Sequence, residues 1–595
     1  MLDVSPENLY QEIKASEKLR GHHTRHVEEL TTTYTGPEYK SGVDNKYYPE
    51  NHVYEYLSLT IPRLIYDNPR VNISTRRPAT QGDVALAIKH GLNRWIVDTN
   101  LRGPLLRAAY DMLMSYGVIL TVQKPRAGHT YQDESASFWP HCYRISPNRY
   151  IMDPIALNME EARFMGHQWV RDKEDLLESA GKEGEGWNKN VIEAMSDDTG
   201  IDEVGRDTIT RRTVPTRKEV VGYDLWIPEM TLDDSPGPDS GFHGTLYTLA
   251  INQSSKGETK ADFIRDPRPY YGPRWGPYSM LGVYVVPDSP YPLSPLLATA
   301  GQMRDLNDHV LSASRSARQY KRLVLVDARS KKLMQSIKGD PDTYVIPVDG
   351  LDKEQVVQTE VGGITNQQIN YIAMLRERLD RNSGIHDVQR GNISGAATAT
   401  AVAVAESSTT LRVDHIKKQF QNDVTKIVKT AGWYLYHDER VSFPLGKEAA
   451  DDLNMKEPWY DGGAPTDMAG MTFDDLELQI DPYSMERTNE ALMQKRTMEA
   501  FSVITNAVQL MPQTPFIDWK KLLVQLGDSL NMPNLSELID EKAMRQQMQQ
   551  VAQQQQAEEA MSQSPEKGGR ASRTPRNSRL PGEEYGMMAR QSRSI

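Results

Sequence analysis

Apolar residues recur at helical spacing early in the chain and then give way to strand-like runs. Asn8 to Lys18 predicts a first helix, and after a Gly/Pro/Tyr-rich stretch Asn51 to Tyr66 predicts a second, which Asp67-Asn68-Pro69 stops. Val84, Ile88, Leu92 and Ile96 fall on one face of a helix over Asp83 to Thr99, and another covers Leu105 to Tyr116. The apolar run Gly117 to Val122 predicts a strand. Phe138 to Val170 reads as strands broken at Ser146-Pro147 and Asp153-Pro154, with further strands at Lys218 to Ile227 and Thr245 to Ile251. Asp172 to Ser240 is charged and irregular and predicts a surface insertion.

The middle of the chain changes character. A proline-rich stretch, Pro267 to Pro295, leads to Ser294-Pro295, an N-cap followed by a first-turn proline, and a long helix through Leu306, Val310, Ala313 and Ala317 to about Arg322. A short β-like module follows, Leu323 to Asp327 and Tyr344 to Val348, around the basic stretch Ser330 to Lys338. A second helix, Thr365 to Arg381, carries Ile369, Ile372, Leu375 and Leu379 as its apolar stripe. Asn382 to Ala397 has glycines and no periodicity, which predicts a flexible loop. A very long helix then runs to about Tyr436 with Leu411, Ile416, Phe420, Val424, Ile427 and Val428 on its buried side. Val441 to Ile480 returns to strands and turns, the chain from Tyr483 is helical and methionine-rich, and Ser562 onward is low-complexity and disordered.

With 595 residues the chain is too long for one ordinary core, so roughly three or four structural units are expected. Hydrophobic residues make up 38% and charged residues 25%, and the mean hydropathy is -0.61, so much of the chain is loop or surface that becomes interface. A single cysteine, Cys142, excludes an intramolecular disulfide framework. The start has neither a basic nor an apolar leader region, so a reducing cytoplasm is the expected compartment of assembly. No apolar run approaches bilayer length, and membrane insertion is not expected. The net charge of -12 argues against wrapping DNA with the whole surface, because such binding relies on Lys and Arg neutralising phosphates. The charge is uneven: Pro565 to Ile595 carries seven basic residues against three acidic ones, leaving about -16 on the rest.

Helix, small β module, helix, Gly-rich loop, long helix: in this order of elements the chain resembles the portal proteins of tailed bacteriophages. Tyr54 to Asn68, Ser146 to Arg149 leading to Asp153-Pro154, and Gly395 to Ala401 before the long helix reinforce the resemblance, which covers roughly Asn51 to Tyr483. It implies an α+β portal fold made of wing, helical stem, small β-containing clip, long kinked wing helix and helical C-terminal crown. The wing then covers 1–290, the first stem helix 291–322, the clip 323–364 and the second stem helix 365–381. The tunnel loop is 382–400, the long wing helix 401–440, the wing β segment 441–482, the crown 483–560 and the disordered basic tail 561–595.

The function implied is a closed ring, usually of twelve copies, at one capsid vertex, through which double-stranded DNA is packaged and ejected. Implied partners are other copies of the chain, terminase, a head-tail adaptor, and the major capsid and scaffolding proteins; the location is the virion's portal vertex. No cofactor, metal or catalytic residue is implied, and ATP hydrolysis belongs to the terminase. The competing reading is a metal-dependent nuclease or another structural virion or tail component.

Candidate residues follow from that order. His386, Asp387, Gln389, Arg390 and Asn392 offer donors and acceptors to passing phosphates from the glycine-flanked loop. Lys331, Lys332 and Lys338 are candidates for docking the motor or an adaptor, and Arg315, Arg318 and Arg322 for pairing between subunits. His22, His23 and His26 form a HHxxH cluster without the glutamate of a zinc helix, and Gly181 to Gly186 lacks phosphate-loop spacing. Asp233-Asp234, Asp451-Asp452 and Asp474-Asp475 could serve a two-metal nuclease, but each sits among turn residues as a solvated pair would.

Overall fold

Ser5 starts the first helix by accepting a hydrogen bond from the Asn8 N–H, with Pro6 in the first turn where no N–H is needed. The computed structural model of the chain describes residues 4–36, 50–76, 78–125, 138–181, 186–195, 218–229, 241–253, 259–327, 343–349, 357–384, 399–453, 455–463, 472–481, 484, 485, 498 and 502. The chain divides into two units, Met1–Arg487 and Thr488–Ile595, and the architecture below is that of the first.

In chain order the elements are α1 (Pro6–Thr35), α2 (His52–Leu64), β1 (Val71–Thr75), α3 (Pro78–Asp98), α4 (Arg102–Met114), β2 (Gly117–Pro125), β3 (Phe138–Ile145), β4 (Tyr150–Met152) and β5 (Met165–Asp172). Then come α5 (Lys173–Ala180), α6 (Lys189–Ala194), β6 (Glu219–Ile227), β7 (Phe242–Gln253), β8 (Thr259–Tyr271), β9 (Tyr278–Leu281) and α7 (Pro295–Arg318). Next are β10 (Lys321–Asp327), β11 (Thr343–Val348), β12 (Val357–Val361), α8 (Asn366–Ser383), α9 (Ala399–His437), β13 (Ser442–Pro444), α10 (Lys447–Leu453), β14 (Trp459–Asp461) and β15 (Leu476–Ile480).

The class is α+β, with helices and largely antiparallel sheets. A five-stranded meander runs β4-β5-β6-β7-β8, and a three-stranded sheet has the order β3-β2-β9. A second three-stranded sheet, β11-β10-β12, pairs β10 parallel to β11 and antiparallel to β12. The largest core gathers α2, α3, α4, the start of α7 and the C-terminal part of α9, with Trp95, Leu92, Phe420 and Ile427 fully buried. α1 lays Leu9 and Ile13 on the meander beside Phe164 and Leu225.

Several elements depart from the sequence reading. α1 continues well past Lys18: Leu30 is buried in the main core, and Thr31, Thr32, Thr33 and Thr35 return their hydroxyls to carbonyls one turn back. The expected insertion contains α5 and α6, whose Leu176 and Ile192 pack against the meander through Trp169 and Val220. The start of the proline-rich stretch lies in β8, the last strand of the meander, whose outer edge meets the 186–188 segment at the Trp187–Arg265 bridge; Pro267 falls where the β7–β8 register shifts, so its missing donor breaks no regular rung. Helix α7 ends at Arg318, so Arg322 stands on β10 opposite Thr343 and Glu360. The returning chain abuts that helix end: Gly362 has a positive φ of 83°, and a Cβ there would meet the Gln319 carbonyl oxygen at 2.7 Å. The strand β12 and the helix α10 stand where the sequence pattern predicts neither. Ile369 is 51% exposed and Leu411 70%, so the buried stripe of α8 reduces to Leu375 and Leu379, and that of α9 begins at Ile416.

Among the described residues, no helix is long and apolar enough to cross a membrane.

Candidate functional site

The region of interest is the helical pair α7 and α8 and its junction with α2 and α9. Ser294 caps α7, accepting from the Leu297 N–H at 2.9 Å while its hydroxyl donates to the Met114 carbonyl at 3.0 Å. Thr365 and Gln368 form a capping box at the start of α8. The pair is tied to the segment before α2 through Glu50. The Glu50 N–H donates to the Asn307 side-chain oxygen at 3.1 Å, and Arg376 Nε donates to the Glu50 carboxylate at 2.9 Å. His52 places Nε2 2.9 Å from Glu50 and Nδ1 3.4 Å from Glu55. Burial raises the Glu50 carboxyl, but the bonds from Arg376 and His52 outweigh it and hold the group below the usual carboxylate range.

The end of α8 is closed with equal care. Gly384 adopts the left-handed conformation at φ 77° and its N–H donates to the Asp380 carbonyl at 2.9 Å. Across the chain, Arg412 Nη1 on α9 donates to the Arg381 and Asn382 carbonyls at 3.1 and 3.0 Å, covering oxygens that the helix leaves without partners. The chain therefore leaves α8 from a pinned point.

Beside that point lies a cavity of about 180 Å³ lined by α2, the first turns of α7, the end of α8, and α9. Tyr56, Arg63, Tyr284, Thr299, Ser383 and Arg412 supply its polar walls, and among the described residues no acidic one lines it. Burial, then the Tyr284 hydroxyl, push the Tyr56 phenol far above its ordinary value, against the smaller opposing pull of Thr60 and Arg412.

Further along α9, Asp423 is a carboxylate within the buried face, 3% exposed. It accepts from the Gly282 N–H at 3.2 Å and lies 3.5 Å from Lys426 Nζ, yet burial still pushes its carboxyl up to about 6.

The structure places the sequence candidates unevenly. His386, Asp387, Gln389, Arg390 and Asn392 lie outside the described residues, as do Lys331, Lys332 and Lys338, Asp233-Asp234 and the chain beyond 502. Arg315 and Arg318 are exposed in the last turn of α7, and Arg322 is exposed on β10, so the three do not share one helix face. His22, His23 and His26 all lie on α1, but the His23 ring packs inward, 5.0 Å from Tyr291 and 6.2 Å from Tyr116. Asp452 accepts from His90 at 2.9 Å, Asp474 pairs with Lys429 at 3.7 Å, and Asp475 closes a capping box with Thr472. Gly181 ends α5. Among the described residues no group of three or more His, Cys, Asp or Glu is placed to hold a metal ion.

Sequence reasoning passed over Arg412, Glu50, Arg63 and Asp423. Only Asp423 left a readable signal, a carboxylate one helical turn from Phe420 and Ile427 within an apolar stripe. The other three act through partners distant in the chain. No model of a protein family matches the sequence, and no curated protein matches it.

Proposed function

We propose that the chain is the portal protein of a tailed bacteriophage: a subunit of a ring, usually twelvefold in that family, that occupies one capsid vertex and passes double-stranded DNA. The observation that carries this reading is the arrangement of α7, the β11-β10-β12 sheet, α8 and α9. Two helices pack on each other, a small sheet joins their far ends, and a glycine-rich segment leads from α8 into a helix of 39 residues. In the terms of that family these are the two stem helices, the clip, the tunnel loop and the long wing helix.

Exposed apolar side chains support an assembly. In this arm Ile364, Ile369 and Tyr344 are each 45% exposed or more, and the small sheet buries Val324. A heterologous ring interface repeated around an axis would cover such residues, since every subunit offers the same two faces to its neighbours. The role is mechanical: the ring seats the terminase during packaging, then holds an adaptor and retains DNA, with Lys331, Lys332 and Lys338 in the docking region and Arg315, Arg318 and Arg322 between subunits.

Phage carrying Arg390→Glu tests the reading in the particle. The charge reversal is expected to leave rings intact, because the glycine-flanked, aperiodic stretch around Arg390 reads from the sequence as a loop, and to lower the genome content per particle. Normal genome content would remove Arg390 from the DNA path, and loss of rings would make the loop an assembly interface.

A further inference from the structure

We propose that the cavity between α2, α7, α8 and α9 is an oxyanion site that takes a phosphate group. This goes beyond the ring reading, because the site is complete within one chain and uses none of the residues assigned to the channel, the docking region or the subunit interface.

Charge is the first argument. The chain carries a net charge of -12, yet among the described residues the charged side chains lining this cavity are Arg63 and Arg412, with no carboxylate in the lining. Among the described residues Arg63 makes no hydrogen bond or ion pair, and it is exposed at the rim. Arg412 commits Nη1 to two carbonyls, which leaves the other edge of its guanidinium to donate. Two guanidiniums without an acid repel each other, and an oxyanion with several acceptor oxygens relieves that repulsion through short, charge-assisted hydrogen bonds.

The helix ends supply the second argument. Pro295, Ala298 and Thr299 belong to the first turns of α7 and line the cavity; Ser294 already takes the Leu297 and Ala298 N–H groups and Pro295 has none, so α7 contributes the field of its positive end and no free donor. The end of α8 also lines it and would oppose an anion with its carbonyls. Arg412 covers those of Arg381 and Asn382, and the Gly384 N–H covers that of Asp380, so the opposing dipole is largely spent. Of the hydroxyls in the lining, Thr299 already donates to the Pro295 and Leu296 carbonyls and Ser383 to that of Asp380, which leaves the phenols of Tyr56 and Tyr284 beside the two arginines. The cavity, about 180 Å³, has room for a phosphate group with a few waters, taking a water's share as about 30 Å³.

The phosphate could belong to a free monoester-type anion or to a nucleic-acid backbone, and both present the same oxygens. Isothermal titration of the full-length protein with inorganic phosphate, at constant ionic strength in KCl, tests the site. Saturable binding at one site per chain is expected, weakened at least tenfold by Arg63→Gln and unchanged by Arg274→Gln, an exposed arginine away from the cavity. Because Arg63 is exposed and has no partner among the described residues, Arg63→Gln should melt at the temperature of the unaltered chain, which separates lost binding from lost folding. A short oligodeoxynucleotide without terminal phosphates identifies the source: displacement of phosphate assigns the site to a backbone diester, and failure to displace assigns it to a free or terminal phosphate. No saturable binding, or equal affinity in Arg63→Gln, overturns the proposal.

Discussion

The C-terminal half of α9 and the whole of α8 are both amphipathic helices of one unit, but they meet different surroundings. Ile416, Phe420, Val424, Ile427, Val428 and Ala431 on α9 are each 2% exposed or less, packed against α2, α3 and the sheets around them. On α8, Leu375 and Leu379 are buried, while Ile369 is 51% and Tyr371 39% exposed. The first helix is held by its own chain. The second offers a stripe that, among the described residues, is covered only toward its C-terminal end, so the stability of the body and the completion of the arm are separate questions.

Removing a large side chain from the body is the sharpest way to test that separation. Phe420→Ala should cost about 3–5 kcal/mol, from lost burial and the cavity left behind. Chemical denaturation measures it, and a loss below about 1 kcal/mol would mean that α9 is not packed as described.

Asp423 should produce the next largest effect, as a pH dependence. Its folded pKa of about 6 lies above that of an unfolded aspartate, so the folded chain holds the proton more tightly. Its contribution is therefore fully present below about pH 4 and is lost as the pH rises through about 6, an upper bound of roughly 3 kcal/mol. Asp423→Asn keeps an acceptor for the Gly282 N–H and removes the charge. It should raise the melting temperature at pH 7.5 and flatten the slope between pH 4 and 6; an unchanged slope would show that other groups set it.

Smaller effects belong to the arm. Arg412→Ala uncovers two carbonyls at the end of α8 and should cost about 1 kcal/mol. Hydrogen exchange should rise in the last turn of α8 and nowhere in the C-terminal half of α9. Ile369→Ser sits at the bottom of the scale for folding, within about 0.5 kcal/mol, because its side chain is already half exposed. If neighbouring copies cover that face, the same change should weaken assembly by size-exclusion chromatography. Unaltered assembly would place the interface elsewhere.

Much of this arrangement was legible in the residues. Ser294-Pro295 and Thr365 with Gln368 announce helix starts because capping chemistry is local, and the periodicity of Ile416 to Val428 identifies a buried face directly. What escaped depends on partners far away in the chain. β8 carries Pro267 and Pro269 and becomes a strand because it ends the meander and its register against β7 shifts at Pro267; β12 forms because β10 offers an edge to it. Arg412 reads as one more charge on a long helix until the end of α8 is brought beside it. Arg322 shows the reverse error, since helical spacing alone carried α7 through a boundary that Gly362 and Gln319 set in space.

Negative-stain microscopy of the purified full-length protein tests the ring most directly. The account predicts closed rings with an axial hole, formed by the unaltered chain and retained when Pro565 to Ile595 is removed. Particles that remain single compact subunits at micromolar concentration, with no ring in any class average, would contradict it.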